Sequence, residues 1–462
     1  MSKQQRIRDS LHDLITFEDT SFEQMLWKIV QTPEFQRLRR IKQLGFSEMV
    51  FPGATHTRFA HSLGVYHIAK QLIQVIKRLD QKHYKEHFAN YAIAAALVHD
   101  IGHGPFSHAF EDVGKELNLK MAKHETVSQI IIKERFRKLF DNEFGLNASD
   151  NIALFVGKTS PTIYNSIVSS QFDADRLDYM QRDRLMTGTR IGGIDFTWLI
   201  ANIEIEPIKL NEDQGDPFNE IRTFVLNSKA LQAAESYVLG LFQLYQNVYF
   251  HKTTRCAEKI FSQLLIRLFR LVRDGSVKQT GLPENHPLIN FCNKSDNLDA
   301  ALALDDTVIM GALSSMEQAT DKIMKIFSSR IRNRKLLKCV DIGERLAEEF
   351  GREEMPEKKT AFERIGEALD GWISASDEKK ERILLDKGTR LPYKKIEVDT
   401  IPMNQIWIRK KSGKLVDVTE YSQTVNSLRS FSFYRAYYDD EDKDAKREID
   451  NAIDQAIKGV RP

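Results

Sequence analysis

The chain has 462 residues, of which 42% are apolar and 29% charged, and its formal net charge is +2. That length exceeds one ordinary core and points to two or three domains, while the near-neutral balance gives no global field calling for nucleic acid or an anionic membrane. The segment Met1 to Arg8 is polar and no apolar run approaches the roughly 20 residues of a membrane span, so a cytoplasmic protein, neither secreted nor membrane-spanning, is expected. Cys256, Cys292 and Cys339 are scattered and odd in number, which fits a reducing compartment and no disulfide framework.

Taken in order, residues 1–20 predict a short amphipathic turn or a short strand. Phe22, Met25, Leu26, Ile29 and Val30 have helical spacing. Thr32 then caps a new helix with Pro33 at its first position, running to about Leu44. Residues 51–55 read as a turn, and Thr57-Arg58 opens a helix with apolar positions Val65, Ile68, Leu72, Val75, Ile76 and Leu79. Residues 88–98 are apolar all round, as in a buried helix. Gly102, Gly104 and Pro105 break it, Ser107 to Leu117 resumes, and His124 opens another. Residues 150–170 are helical, and a helix within 171–183 would put Asp175, Asp178, Tyr179 and Arg182 on one face.

Residues 202–209 and 221–226 read as a hairpin around the turn 211–215. A long helix, or two, covers 228–273, and helices separated by loops follow to about 385. Residues 395–398, 405–408 and 415–418 alternate as strands. The expected division is an N-terminal segment (1–20), a catalytic domain (21–285), a helical region (286–385) and a small α+β region (386–462). The fold class is mainly α, with a smaller mixed α+β C-terminal region.

Nine of the twelve histidines lie between residues 56 and 124: His56, His61, His67, His83, His87, His99, His103, His108 and His124. His61 sits one turn before Val65, near the buried stripe. His99 and Asp100 end the apolar helix, and burying a charged Asp is costly unless it is paired or ligated. Two imidazoles and a carboxylate suit a divalent ion, with Asp175 as the candidate fourth ligand. Water bound at an open position of such a site becomes a nucleophile near neutral pH. His103, His108 and His124 are then available to contact phosphate or to protonate a leaving group. Arg58, Arg176, Arg182 and Lys252 offer the positive charge that phosphoryl transfer needs, and Tyr179 and Tyr249 could meet a sugar. His56, His67, His83 and His87 read as surface or packing residues. Asp178 and Asp183 read equally well as ion-pair partners of Arg176 and Arg182.

The set His61, His99-Asp100 and Asp175 resembles the His…His-Asp…Asp signature of the HD-domain metal-dependent phosphohydrolases. The stretches FQRLRRIKQLG (35–45), FPGATHTRFAHSLGV (51–65) and HDIGHGPFSH (99–108) are similar to its dNTP triphosphohydrolase branch. That branch includes the vertebrate enzyme joining a sterile-alpha-motif domain to an HD domain, and bacterial relatives. The likeness covers residues 20–265 well and the remainder loosely.

The resemblance implies a helical HD-domain core binding a divalent metal ion (Mn, Fe, Mg, Zn, Co or Ni) through His61, His99, Asp100 and Asp175. It implies cleavage of a dNTP to deoxynucleoside and triphosphate by metal-activated water attacking the α-phosphorus. His108, working with Glu111, is a candidate proton donor or phosphate contact, assisted by His103 and His124. Arg58, Arg176 and Tyr179 match positions that hold phosphates. Gln43, Asp183 and Tyr249 match positions near the sugar 3′-hydroxyl, and Leu44 matches one that excludes a 2′-hydroxyl. Glu111 stands where the vertebrate enzyme has Asp, Arg176 where it has Lys, and Leu241 where many relatives have an Arg reaching toward the phosphates. A homo-oligomer, dimer or tetramer, and a regulatory nucleotide are implied as well. Two other readings stay open: an HD phosphohydrolase acting on another nucleotide, a phosphomonoester or a nucleic-acid end, and a non-catalytic nucleotide-binding effector.

Overall fold

The computed structural model describes residues 3–157, 162–209, 220–353, 355–376, 378–394 and 405–460. Apolar side chains at three- and four-residue spacing recur along the chain, and the fold is accordingly mainly α. It divides into two units, each assembled from separate stretches of sequence. No described helix is long and apolar enough to cross a membrane.

The first unit comprises residues 1–248, 294–309 and 392–429. Its central helix, Arg58–Leu79, buries Leu63, Val65, Ile68, Leu72 and Ile76, each worth roughly 1.5–3 kcal/mol. Two further helices pack on it. Glu86–Val98 is enclosed on nearly every side, and its small residues Ala92, Ala94, Ala95 and Ala96 let neighbours come close. Ala174–Thr187 starts at Asp173, whose side chain accepts from the Arg176 N–H, and stops at Gly188 in the left-handed conformation.

The N-terminal residues form an antiparallel hairpin, Gln5–Asp9 with Asp13–Phe17, whose Ile15 and Phe17 are buried. The strands expected at 202–209 and 221–226 are Ile203–Lys209 and Glu220–Asn227, paired antiparallel. Their turn at 211–215 lies outside the described residues, as does the strand expected at 395–398. The strands expected at 405–408 and 415–418 are Trp407–Arg409 and Leu415–Asp417, which complete a four-stranded sheet beside Glu220–Asn227.

One expectation needs correction. Thr32 does cap and Pro33 does open a helix, but it ends at Arg37, with a short 3-10 turn over Leu38–Arg40. The backbone after it pairs with the segment before the central helix instead: Arg58 N–H donates to the Ile41 carbonyl at 2.9 Å and Gln43 N–H to the His56 carbonyl at 3.0 Å. Those bonds compete with helical ones and win.

The second unit comprises residues 249–293, 310–391 and 430–462. A three-stranded antiparallel sheet, in the order Lys338–Asp341, Phe431–Tyr438, Ile383–Arg390, packs beneath helices Ile342–Phe350, Pro356–Ser374 and Lys443–Val460. Leu346, Ile365, Leu369, Tyr434, Ile449 and Ile453 form its core. Lys338–Asp341 falls where helices were expected. Four residues carry no readable period, and its ladder partner is distant in sequence, with Asp341 opposite Arg435.

Candidate metal centre

The three packed helices of the first unit each bring a side chain to one point. His61 lies on the first turn of Arg58–Leu79, His99 caps Glu86–Val98 with Asp100 next to it, and Asp175 opens Ala174–Thr187. His61 Nε2 is 3.0 Å from Asp175 Oδ1 and 3.8 Å from Asp100 Oδ2. His99 Nε2 is 3.4 Å from Asp100 Oδ1 and 3.7 Å from Asp175 Oδ1.

Both imidazoles are held in one orientation. His61 Nδ1 bonds to Asp178 Oδ2 at 2.8 Å, and His99 Nδ1 to the Ala96 carbonyl at 2.8 Å. Each thereby turns Nε2 toward the two carboxylates, and the buried Nε2 of His99 has no hydrogen-bond partner there. Two imidazole nitrogens and two carboxylates facing inward fit a divalent cation of the borderline or hard kind.

Charge follows the same geometry. Burial presses the His61 pKa down, but its hydrogen bonds to Asp175 and Asp178 outweigh that and raise it to about 10. Burial likewise opposes charge on His99, and Asp100 and Asp175 raise it nonetheless. Against burial, Arg58 and the neighbouring histidines hold the Asp100 carboxyl well below the usual range. Against burial too, the hydrogen bond from His61 and the nearby His99 ring lower Asp175.

A second group adjoins the first. Asp100, His103 and His124 offer ligand-type atoms within 4.8 Å of one another. The His103 ring stacks on His124, with centroids 4.0 Å apart. Burial first, then the charges of Arg58 and His124, keep His103 neutral. Glu111 joins the other two histidines, accepting from His108 Nδ1 at 2.9 Å and from His124 through both its ring and its N–H. Those bonds overcome burial and hold Glu111 ionised. His108 is the most open of the three, its side chain 70% exposed.

The loop carrying these histidines is tightly made. Phe106 and Ser107 both have φ in the left-handed region, 54° and 56°, which is strained for side chains with a Cβ. Asp306 Oδ1 accepts from the Phe106 N–H at 2.7 Å, Arg58 Nε donates to Ser107 Oγ at 2.9 Å, and Arg37 donates to the His103 carbonyl at 2.8 Å. Gly102 lets the loop touch the next helix: a Cβ there would meet the His124 carbonyl and the Ser128 nitrogen, each at 2.4 Å.

The other expected site residues are placed as follows. Arg58 pairs with Asp100 and is buried. Arg176 Nε donates to the Ser170 carbonyl at 2.9 Å. The Tyr179 ring lies 6.5 Å from His61. Gln43 buries an unpartnered Oε1, and Leu44 beside it is half-buried. Asp183 is buried against His56, Oδ1 to Nε2 at 2.8 Å. His56, read as packing, is thus the partner of a candidate sugar contact. Leu241 is buried on the helix Leu231–Leu244. Tyr249 and Lys252 belong to the second unit. Asp178, read as an ion-pair partner, does pair with Arg182, Oδ2 to Nε at 2.8 Å, and it has a second role in orienting His61. Sequence reasoning missed that second role, along with His12, Arg37 and Asp306. Only Arg37 lies in a recognisable stretch, FQRLRRIKQLG, and each of them acts through contacts remote in sequence.

This is a helical protein with a buried His/Asp centre that could hold a metal ion. Residues 58–180 match the HD domain family, and residues 218–303 match the HD associated region. The chain is 31% identical over 346 residues to the uncharacterized protein YwfO of Bacillus subtilis, covering 74% of this chain and 73% of that one. It is 29% identical over 347 residues to the deoxynucleoside triphosphate triphosphohydrolase SAMHD1 homolog of Dictyostelium discoideum, covering 72% of this chain and 60% of that longer one. The crystal structure of a phosphohydrolase from Bacteroides thetaiotaomicron superposes with a TM-score of 0.71 at 26% identity, over 94% of this chain and all of that one. The chain belongs to the HD-domain phosphohydrolase family.

Proposed function

We propose that the chain hydrolyses deoxynucleoside triphosphates to deoxynucleoside and triphosphate, with His61, His99, Asp100 and Asp175 holding a divalent ion. The observation that carries this is the orientation of His61 and His99. Both imidazoles are fixed through Nδ1 so that Nε2 faces the two carboxylates. The relationship to a Dictyostelium protein named as a deoxynucleoside triphosphate triphosphohydrolase supports the substrate.

A bound divalent ion would supply an activated water and neutralise phosphate charge. The chain's own groups do the rest. Attack at the α-phosphorus breaks its bond to the 5′-oxygen, and the departing alkoxide needs a proton. His108 and His124, both held at Nδ1 by ionised Glu111, present Nε2 as the donor. Neutral His103, with Arg58, Arg176 and Tyr179, contacts phosphate oxygens. Gln43 and Asp183 serve the sugar, and Leu44 excludes a 2′-hydroxyl.

A second reading rests on Leu241. A buried leucine at that position cannot reach a terminal phosphate as an arginine does, which favours a nucleotide with fewer phosphates, or a phosphomonoester or nucleic-acid end. Product analysis with each dNTP and manganese separates the two. Release of triphosphate is expected; monophosphate or pyrophosphate without triphosphate overturns the leading reading. The proposed homo-oligomer is tested by sedimentation with and without nucleotide, where a monomer at every concentration counts against it.

A further inference from the structure

Behind the metal centre, the outer face of His61 is built by Asp178 and Arg182 together with an N-terminal hairpin far in sequence from the HD signature. Asp178 has no exposed surface and accepts four hydrogen bonds. They come from His61 Nδ1 at 2.8 Å, His12 Nε2 at 2.7 Å, and Arg182 Nε and Nη2 at 2.8 and 2.9 Å. Arg182, buried as well, is gripped from its far side by Asp9, Nη1 to Oδ2 at 2.9 Å and Nη2 to Oδ1 at 3.1 Å.

Asp9 also shapes the turn that delivers His12. Its Oδ1 accepts the N–H groups of Leu11 and His12, both at 3.0 Å. The side chains of Asp9 and His12 are only 7% and 8% exposed, unusual for a polar hairpin turn. Gly64 makes room for the network on the central helix: a Cβ there would lie 1.9 Å from Asp178 Oδ1.

We propose that Asp9 and His12, carried by the N-terminal hairpin, are positioning residues for the metal centre. Acting through Asp178 and Arg182, they lock the His61 imidazole with Nε2 toward the ion. This inference rests on the metal reading above. A carboxylate shared between Arg182, His12 and His61 has few rotational alternatives. Removing His12 takes one of the two hydrogen bonds from Asp178 Oδ1, leaves Arg182 alone to set the angle of the carboxylate, and loosens the His61 ring. Loss of such an outer partner weakens metal binding by about 10–100-fold.

The test titrates the metal-free full-length chain with cobalt(II), reading the visible absorption of the bound ion and, by calorimetry, its affinity. His12→Ala is expected to bind about 10–100-fold more weakly and to shift the absorption bands, while its metal-free melting profile stays cooperative. His12→Gln, which keeps an N–H donor, is expected to recover most of the affinity. Leu14→Ala, on the same hairpin but 40% exposed, is expected to bind as the unaltered chain does. Should His12→Ala not fold, Asp9→Asn decides alone: weaker cobalt binding supports the proposal and unchanged binding overturns it. Normal binding by the unaltered chain with equal binding by His12→Ala overturns this inference only. No binding by the unaltered chain overturns the metal reading and this inference together.

Discussion

Asp178 Oδ2 accepts a 2.8 Å hydrogen bond from Nδ1 of His61, and the two residues lie 117 positions apart in the chain. The same carboxylate neutralises Arg182, whose side chain is fully enclosed. Asp178→Ala therefore leaves a buried guanidinium short of a partner, and a loss of roughly 3–5 kcal/mol is expected. Asp178→Asn, which keeps the shape and one acceptor, should cost less. Urea denaturation of both variants measures the difference, and equal small losses would show that Arg182 finds another partner.

Gly64 occupies the place where a methyl group would strike the Asp178 carboxylate and the Arg182 guanidinium, at 1.9 and 2.5 Å. Both side chains are pinned by other bonds and have little room to yield. Gly64→Ala is expected to destabilise the protein by about 1–3 kcal/mol through overpacking, and to lower metal retention with it. A gain in stability, as from an ordinary helix-interior glycine, would mean that the network shifts freely.

Removing a proposed ligand should remove the ion. His99→Ala and Asp175→Ala are each expected to drop the divalent metal content, measured by mass spectrometry after dialysis, to near zero and hydrolysis to background. Retention of full metal content by either variant would strike that residue from the ligand set.

Metal uptake should depend on pH with a defined sign. In the metal-free chain the proton on His61 is held up to about pH 10 by Asp175 and Asp178 against burial, yet ligation requires the neutral ring. The ion must displace that proton, so affinity is expected to rise about tenfold per pH unit between roughly pH 7 and 9, with about one proton released per ion. Calorimetry in buffers of differing ionisation heat counts the proton, and flat affinity across that range would contradict it. The metal-free fold shows the complementary trend. A raised folded-state pKa contributes stability that is complete below the unfolded value near 6.5 and fades as pH climbs through about 10.

Leu44 follows Gln43, whose buried Oε1 has no partner among the described residues. On the proposal that the chain hydrolyses dNTPs and that Leu44 excludes a 2′-hydroxyl, Leu44→Gly is expected to relax the preference for dNTP over the matching ribonucleotide by about 10–100-fold in kcat/KM. Unchanged discrimination would take the role from Leu44.

Much of the site could be read along the chain because its parts announce themselves locally. His61 precedes a buried stripe, His99-Asp100 ends an apolar helix, and glycine and proline mark the loop to His108. The helix ending at Arg37 instead of Leu44 was not legible, because its stop depends on backbone bonds to residues 56–58. His12 gave no sign either: a histidine in a polar turn has no period, and its meaning lies in Asp178, 166 positions away.

The sequence by itself determined the helical class, the histidine-rich centre and the family, since amphipathic period, helix caps and contiguous motifs are local properties. Only the tertiary structure decided which nitrogen of His61 and His99 faces the carboxylates, and which residues hold them there. For His61 the choice is made by a single hydrogen bond to Asp178, 117 positions away, and for His99 by the Ala96 carbonyl one turn back once the helix end is packed. Asp178 and Arg182 pair along one helix, but Asp9, His12 and His61 join them only once the hairpin and the central helix have packed.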